Sequence, residues 1–238
     1  QLDNRALELK LSQLNILKQI LIKKEEEKEI EKARKEQLKE EEKVRREIEK
    51  AKEKIEKEEK QFNNEMSKML SYLQKANNDV EKQLYADKIK ELEEKIKLLE
   101  KDKENVLQRE TNTRAGFVYV ISNIGAFGEN VFKIGMTRRL DPLERISELS
   151  SASVPFPFDV HALIFSDDAP SLENALHKHF QSKSVNKVNL RKEFFKIDTQ
   201  VLKDYILNEL GQIIQFEDIP KAEQYRESLA ISENITDN

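Results

Sequence analysis

The sequence predicts an α+β protein in which a long helical region precedes one small mixed domain. All five glycines and all five prolines of the 238-residue chain lie after residue 115. Chain reversals normally draw on these residues, so residues 1–111 are predicted to be helical and not a compact multi-element domain. Charged residues make up 37% of the chain against an ordinary value of about 25%. Much of the length is therefore solvated surface, and the compact core belongs to the second half.

The helical region carries a coiled-coil pattern. Residues 23–60 contain 15 Lys and Arg and 15 Glu, which is typical of a solvated helix or of the outside of a coiled coil. Apolar side chains recur at alternating spacings of four and three in two seams. The seams are Val44, Ile48, Ala51, Ile55 and Phe62, and then Tyr85, Ile89, Leu92, Ile96, Leu99 and Val106. Bends are predicted at residues 62–64 and 77–79.

These seams are too apolar to leave in water and too narrow to form a globular core. They are therefore expected to be buried between helices, either of one chain that folds back near Asn77 or of two or more chains. Of these two arrangements, association is preferred. The sequence thus predicts a homo-oligomer formed through the N-terminal helices.

Residues 112–220 alternate strand and helix patterns, and residues 221–238 form a C-terminal tail. A hairpin is predicted from two β-branched runs separated by a glycine-containing loop. Asp141 and Asp198 stand at N-cap positions, and Gly211 ends the second of these two helices. The predicted strands are 116–122, 131–135, 158–165, 193–197 and 212–216, with the hairpin loop at 123–130 and a further helix at 171–182.

The composition excludes several classes of protein. Without cysteine the chain has no disulfide framework, no thiolate zinc site and no cysteine nucleophile, and a cytoplasmic location is expected. The apolar stretch 14–22 is too short and too polar to span a bilayer. Membrane association is expected only if residues upstream of Gln1 carry an anchor. The net charge of -4 gives no global electrostatic argument for nucleic-acid binding.

Four ordered blocks in the second half carry a more specific signal. They are GFVY at 116–119, KIG at 133–135 running on to Arg145, LENALH at 172–177 and NLRKEFF at 189–195. In order and spacing they resemble the GIY-YIG endonuclease superfamily. They are most similar to the branch with KIG in the second motif, the meiotically up-regulated gene product type, and the preceding helix resembles a bacterial coiled-coil domain fused to it.

The resemblance implies a three-stranded antiparallel sheet flanked by helices and phosphodiester hydrolysis at one Mg²⁺ or Mn²⁺ ion. By this resemblance, Tyr119 activates or orients the attacking water. An ordinary tyrosine pKa near ~10 is too high for an efficient base at neutral pH, so a cation is needed beside the phenol. Lys133 stands on the partner strand where it can favour the phenolate. A plain cross-strand pair is the alternative interpretation.

The same resemblance assigns three helix residues. Arg145 corresponds to the arginine that clamps the scissile phosphate, and Glu173 corresponds to the metal-binding carboxylate. His177 lies one helical turn after Glu173, so it can act as a phosphate donor, a leaving-group acid or a partner of Glu173. Reading Glu173 and His177 as half of a zinc site is disfavoured. The late asparagine of the superfamily corresponds to Asn186 or Asn189, while His161 and His179 are expected to be structural.

DNA is the expected partner. A basic stripe along the mouth of the hairpin would contact the phosphate backbone without reading sequence. Its expected members are Arg138, Arg139, Lys187, Arg191 and Lys192. Similar chains are common in bacterial and phage-related loci, which implies a role in defence against phage or foreign DNA. Two alternatives stay open: a non-catalytic nucleic-acid-binding or regulatory module, and a coiled-coil scaffold that binds another protein.

Overall fold

The computed structural model describes residues 2–189, 191–210 and 216–236. Residues 1–45 and residues 46–238 form two compact units. The helices are α1 (Leu2–Lys75), α2 (Asp79–Thr111), α3 (Ile124–Phe127), α4 (Pro142–Ser153), α5 (Ala169–His179), α6 (Thr199–Leu210) and α7 (Glu223–Thr236). The strands are β1 (Gly116–Ser122), β2 (Val131–Thr137), β3 (Asp159–Ser166) and β4 (Phe194–Lys196).

The first unit is the N-terminal part of α1. Its apolar side chains are exposed along the helix, including those of Leu7, Leu14 and Leu21. Such a row of exposed leucines is unusual for a single helix in water. None of the helices built from the described residues combines the length and the apolar character that a membrane span needs.

Helix α1 continues through residues 62–64, so the bend predicted there is wrong. Two asparagines cost a helix only a fraction of a kcal/mol each, and the helix-forming residues around them prevail. The break predicted at residues 77–79 is confirmed. Asn78 caps α2 by accepting a hydrogen bond from the backbone N–H of Val80 at 3.1 Å.

The second half of α1 and α2 form an antiparallel hairpin within the chain. The ion pair of Glu59 with Lys103 (2.8 Å) and the ring contact of Tyr72 with Tyr85 (5.8 Å between centroids) join the two helices. The side chains buried in the hairpin are Ile48, Ile55, Leu92, Leu99 and Val106. The folded-back arrangement thus buries much of both seams, and association of chains remains a proposal.

The second unit is built on a four-stranded antiparallel sheet with the order β3-β1-β2-β4. The expectation of three strands is therefore wrong by one. The extra strand is the short β4, which pairs with β2 only from Val131 to Lys133. The pairing with β4 ends at Lys133, and the candidate site lies along the part of the outer edge of β2 that follows.

Helices cover both faces of the sheet. On one face Val118, Val120 and Ile134 pack with residues of α5 and α6 in the main core. On the other face Tyr119 and Ile121 pack with Ile146 of α4. Strand alternation fixes this division, because successive side chains of β1 point to opposite faces.

The helical hairpin is joined to the sheet through Arg109 near the end of α2. Its guanidinium donates hydrogen bonds to the carbonyls of Arg138 (3.3 Å) and Arg139 (2.8 Å). It also lies 5.0 Å from the ring centroid of Phe117 and 5.3 Å from that of Phe165. This helix end is therefore part of the second unit and not a detached linker.

The loop at 123–130 contains the short helix α3, which the sequence did not predict. Of the strand predicted at 212–216, only Phe216 lies among the described residues, and it forms a β-bridge with Ala162. The segment 221–238, expected to be a tail, contains α7. Tyr225 of this helix packs against Phe156 at 5.4 Å between ring centroids. The C-terminal segment is thus folded onto the domain.

His161 is structural, as expected. It is buried, and its Nδ1–H donates a hydrogen bond to the carbonyl of Glu217 at 2.6 Å. Its Nε2 lies 2.8 Å from the hydroxyl of Ser122. Burial lowers the pKa of His161, which keeps the ring neutral for these two contacts.

Candidate active site

The outer edge of β2 is completed by side chains of α5. The backbone N–H of Ile134 donates to the carbonyl of Glu193 at 3.1 Å, just before β4. The carbonyl of Ile134 accepts a hydrogen bond from Nε2 of His177 at 2.9 Å. Glu173 accepts the backbone N–H of Met136. Two side chains one helical turn apart thus occupy the positions where a longer β4 would pair.

Lys133, Glu173 and Glu193 form an electrostatic cluster at this edge. Lys133 is ion-paired with Glu193, and its Nζ lies 5.5 Å from the ring centroid of Phe194. Burial, together with the negative charge of Glu193, raises the pKa of Glu173 to about 7. The charge of Lys133 and the hydrogen bond from Met136 act in the opposite direction. Glu173 therefore sits where a further positive charge would be favourable.

Tyr119 lies on β1, which pairs with β2 along the edge opposite to the one that Glu173 and His177 contact. It is only 3% exposed, and it pairs with Gly135 in the register of β1 and β2. A Cβ on Gly135 would lie 2.6 Å from the phenolic oxygen, so only glycine lets the hydroxyl rest against the strand. Lys133 is two residues along β2 from Gly135, on the same face of the sheet. The sequence expected Lys133 to serve Tyr119, and the structure shows its ion pair with Glu193.

Arg145 lies in α4, beside the Tyr119 face of the sheet. Its neighbour Ile146 is buried against that face together with Tyr119. The guanidinium is partly buried, and its Nη1 lies 3.5 Å from Oε2 of Glu148, one turn later. A half-buried arginine on this face of the sheet can donate to a phosphate that binds beside it.

Arg139 is not available to DNA as the sequence analysis expected. Its side chain is 2% exposed and forms a bidentate pair with Glu148, at 2.9 and 2.8 Å. Its Nε lies 3.7 Å from Oε1 of Glu47 in α1. A buried guanidinium that two carboxylates neutralise cannot reach a phosphate backbone, so Arg139 is excluded from the proposed DNA surface.

The other four basic residues of the expected DNA surface are at least partly accessible. Arg138 is half-buried and donates to the carbonyl of Thr113 at 3.1 Å. Lys187 is exposed, and its Nζ donates to the carbonyl of Ser182 at 2.5 Å. Arg191 and Lys192 are exposed in the loop that leads to Glu193.

Both candidates for the late asparagine shape this loop. The side-chain oxygen of Asn186 accepts the backbone N–H groups of Val188 (3.0 Å) and Asn189 (2.8 Å). The side-chain oxygen of Asn189 accepts the N–H of Arg191 at 3.1 Å. Each makes a local turn contact, so the geometry does not distinguish between them.

The sequence analysis missed two acidic residues that pair with the site. Glu193 was visible as the first residue of the EFF motif, directly before a short strand, and the pairing of β4 with β2 places it at Lys133. Glu148 was visible as the residue three positions after Arg145, a spacing that favours an ion pair on a helix. The sequence therefore contained a recognisable acidic partner for Lys133 and another for Arg145.

Among the side chains at this edge, Glu173 is the one that could serve as a ligand of Mg²⁺ or Mn²⁺. Among the described residues, no group of three or more His, Cys, Asp and Glu side chains could hold a metal. Mg²⁺ keeps most of its waters and takes one or two protein carboxylates, which is what Glu173 offers. Its half-buried position beside a second carboxylate is consistent with that ligand role.

The comparison with protein families matches the domain that contains the candidate site and not the whole chain. No curated protein and no solved structure shows a significant match. A family match covers less than half of the chain, and it includes Tyr119, Lys133, Arg145, Glu173 and His177. Residues 116–210 match the T5orf172 domain, a family related to endonucleases of the GIY-YIG kind.

Proposed function

We propose that this chain is a metal-dependent endonuclease that hydrolyses phosphodiester bonds in DNA. The observation that carries the proposal is the cluster at the edge of β2, where Glu173 of α5 reaches the strand that holds Lys133 and that packs against Tyr119. One carboxylate, one ammonium and one phenol around β2 would provide a metal ligand, a cation and a water-directing hydroxyl. The family match of residues 116–210 supports the same class of reaction.

Each side chain has a defined task in this proposal. Tyr119 orients the attacking water and accepts its proton, with Lys133 stabilising the phenolate when DNA draws it from Glu193. Arg145 donates to the non-bridging oxygens of the scissile phosphate, whose negative charge grows as the bond breaks. His177 uses its Nε2–H to fix α5 on β2, which makes it a positioning residue and not the leaving-group acid.

Glu173 is the proposed protein ligand of the metal. A bound Mg²⁺ or Mn²⁺ ion would supply Lewis-acid stabilisation of the phosphate and of the leaving oxygen. Glu173 itself binds through a carboxylate that the Met136 N–H orients. We retain Arg138, Lys187, Arg191 and Lys192 as the proposed contacts to the DNA backbone.

The helical region serves this activity by association. Residues 116–220 contain 11 Lys and Arg against 14 Asp and Glu, a net charge of -3, so one domain alone should bind DNA weakly. Pairing two chains raises the effective concentration of the second domain and permits cuts on both strands. We propose that this pairing uses the exposed apolar residues of the N-terminal unit. A role in defence against foreign DNA is part of the proposal.

The test is relaxation of supercoiled plasmid by the full chain. We expect nicking with Mg²⁺ or Mn²⁺, none with EDTA, and none with the variant Glu173→Ala. Glu144→Ala is the matched control, since Glu144 is an exposed glutamate of α4, and it should cut like the wild type. A wild type that binds DNA but never nicks it would contradict the proposed endonuclease activity and would favour a non-catalytic, regulatory DNA-binding module.

A further inference from the structure

Arg139, in the connection between β2 and α4, is buried and forms an ion pair with Glu148 of α4 that the proposed chemistry does not use. Arg139 directs both terminal nitrogens at the two oxygens of Glu148, at 2.9 and 2.8 Å. Its backbone N–H donates to the hydroxyl of Thr137 at 3.2 Å. A bidentate pair fixes the direction of both side chains, so Glu148 has little freedom to rotate.

The helical hairpin contacts the same connection at two points. Glu47 of α1 accepts the backbone N–H of Leu140 at 3.2 Å with one oxygen, and its other oxygen lies 3.7 Å from Nε of Arg139. Arg109 of α2 donates to the carbonyls of Arg138 and Arg139. The position of residues 138–140 is therefore set by helices far away in sequence.

Glu148 joins this buried pair to the proposed phosphate clamp. Its Oε2 is shared between Nη2 of Arg139 at 2.8 Å and Nη1 of Arg145 at 3.5 Å. The side chains of Glu148 and Arg145 are 40% and 23% exposed, so the shared oxygen lies at the boundary between the buried pair and solvent. Arg145 makes the longer of the two contacts, so its guanidinium can donate to a phosphate while Glu148 stays fixed by Arg139.

We propose that Glu148 is a positioning residue for Arg145, and that Glu47, acting through Arg139, makes this positioning depend on the helical hairpin. The inference rests on the proposed function, because it concerns how Arg145 is presented to DNA. A carboxylate that is locked by a buried arginine holds the clamp in one rotamer and lowers the entropy lost when phosphate binds. Loss of the Glu47 contacts therefore increases the mobility of residues 138–140, and through Arg139 the mobility of Glu148 and of Arg145.

A double-mutant cycle on cleavage tests the connection. Glu47→Gln should lower the rate at saturating DNA about fivefold. In the Arg145→Lys background the same change should have no further effect, because the clamp is already impaired. Glu49→Gln, an exposed glutamate of α1, is the control and should change neither background. An equal loss in both backgrounds, or no loss in the wild type, would overturn the proposal.

Hydrogen exchange keeps the inference testable apart from nuclease activity. Glu47→Gln should speed amide exchange in residues 138–150 about threefold over Glu49→Gln, with the rest of the sheet unchanged. If the wild type cleaves no DNA, the proposed function fails and exchange alone decides whether Glu47 controls α4. Unchanged exchange in residues 138–150 would overturn the coupling.

Discussion

Lys133 of β2 is ion-paired with Glu193, the residue that precedes β4. The pair matters because Glu173 responds to both charges: Glu193 raises its pKa, and Lys133 lowers it. Without DNA the ammonium is engaged by Glu193. In the mechanism that we propose, DNA draws Lys133 from Glu193 and leaves its ammonium beside Tyr119.

Glu193→Gln should lower the pKa of Glu173 from about 7 toward its ordinary value of 4.5. The substitution removes a negative charge that disfavours the carboxylate and leaves Lys133 to stabilise it. A carbon-13 NMR titration of the Glu173 carboxyl measures this directly. Glu129→Gln, an exposed loop variant, should leave the titration unchanged. A midpoint that Glu193→Gln does not move would contradict the described cluster.

Glu173 also makes stability depend on pH. Its pKa is higher in the folded protein than in the unfolded chain, so its contribution is fully present below about pH 4.5 and is lost as pH rises through about 7. Glu173→Gln avoids that loss and should raise the free energy of unfolding at pH 8 by on the order of 1–3 kcal/mol. Denaturant unfolding of the wild type and of Glu173→Gln at pH 8 and pH 5 measures this difference in the free energy of unfolding. A stabilisation of equal size at both values would rule out ionisation as the cause.

His177→Gln separates an anchoring role from an acid role. Glutamine retains an N–H that can donate to the carbonyl of Ile134, but it cannot protonate a leaving group. Cleavage at pH 7.5 is therefore expected to stay within about fivefold of the wild type, whereas loss of a general acid costs about 10²-fold or more. His177→Ala should lower the free energy of unfolding by about 1 kcal/mol. A collapse of cleavage in a stable His177→Gln variant would restore the acid role.

Association should depend on residues 1–45. The folded-back hairpin already buries Ile48, Ile55 and Leu92, whereas Leu7 and Leu14 are exposed. Sedimentation at micromolar concentration should show the intact chain as a dimer or larger and a chain of residues 46–238 as a monomer. An intact chain that sediments as a monomer would remove association from the account.

The sequence predicts what depends on local chemistry. The caps at Asp141 and Asp198 and the shared helical face of Glu173 and His177 follow from short-range spacing, and all of them are present. Two adjacent arginines were indistinguishable by such rules. Arg138 remains partly accessible, whereas Arg139 is buried with its Nε 3.7 Å from Glu47, some 90 positions earlier. Contacts of that separation are set by how helices and sheet pack.

The most direct measurement of the central claim separates binding from cleavage in Glu173→Gln. The amide keeps the shape of the side chain and can still accept the Met136 N–H, but it removes the charge that binds the metal. We expect plasmid cleavage with Mn²⁺ to fall at least 100-fold, while the dissociation constant for duplex DNA in EDTA changes less than about threefold. Full cleavage by a folded Glu173→Gln variant, or equal losses of cleavage and of binding, would contradict Glu173 as the metal ligand of a nuclease.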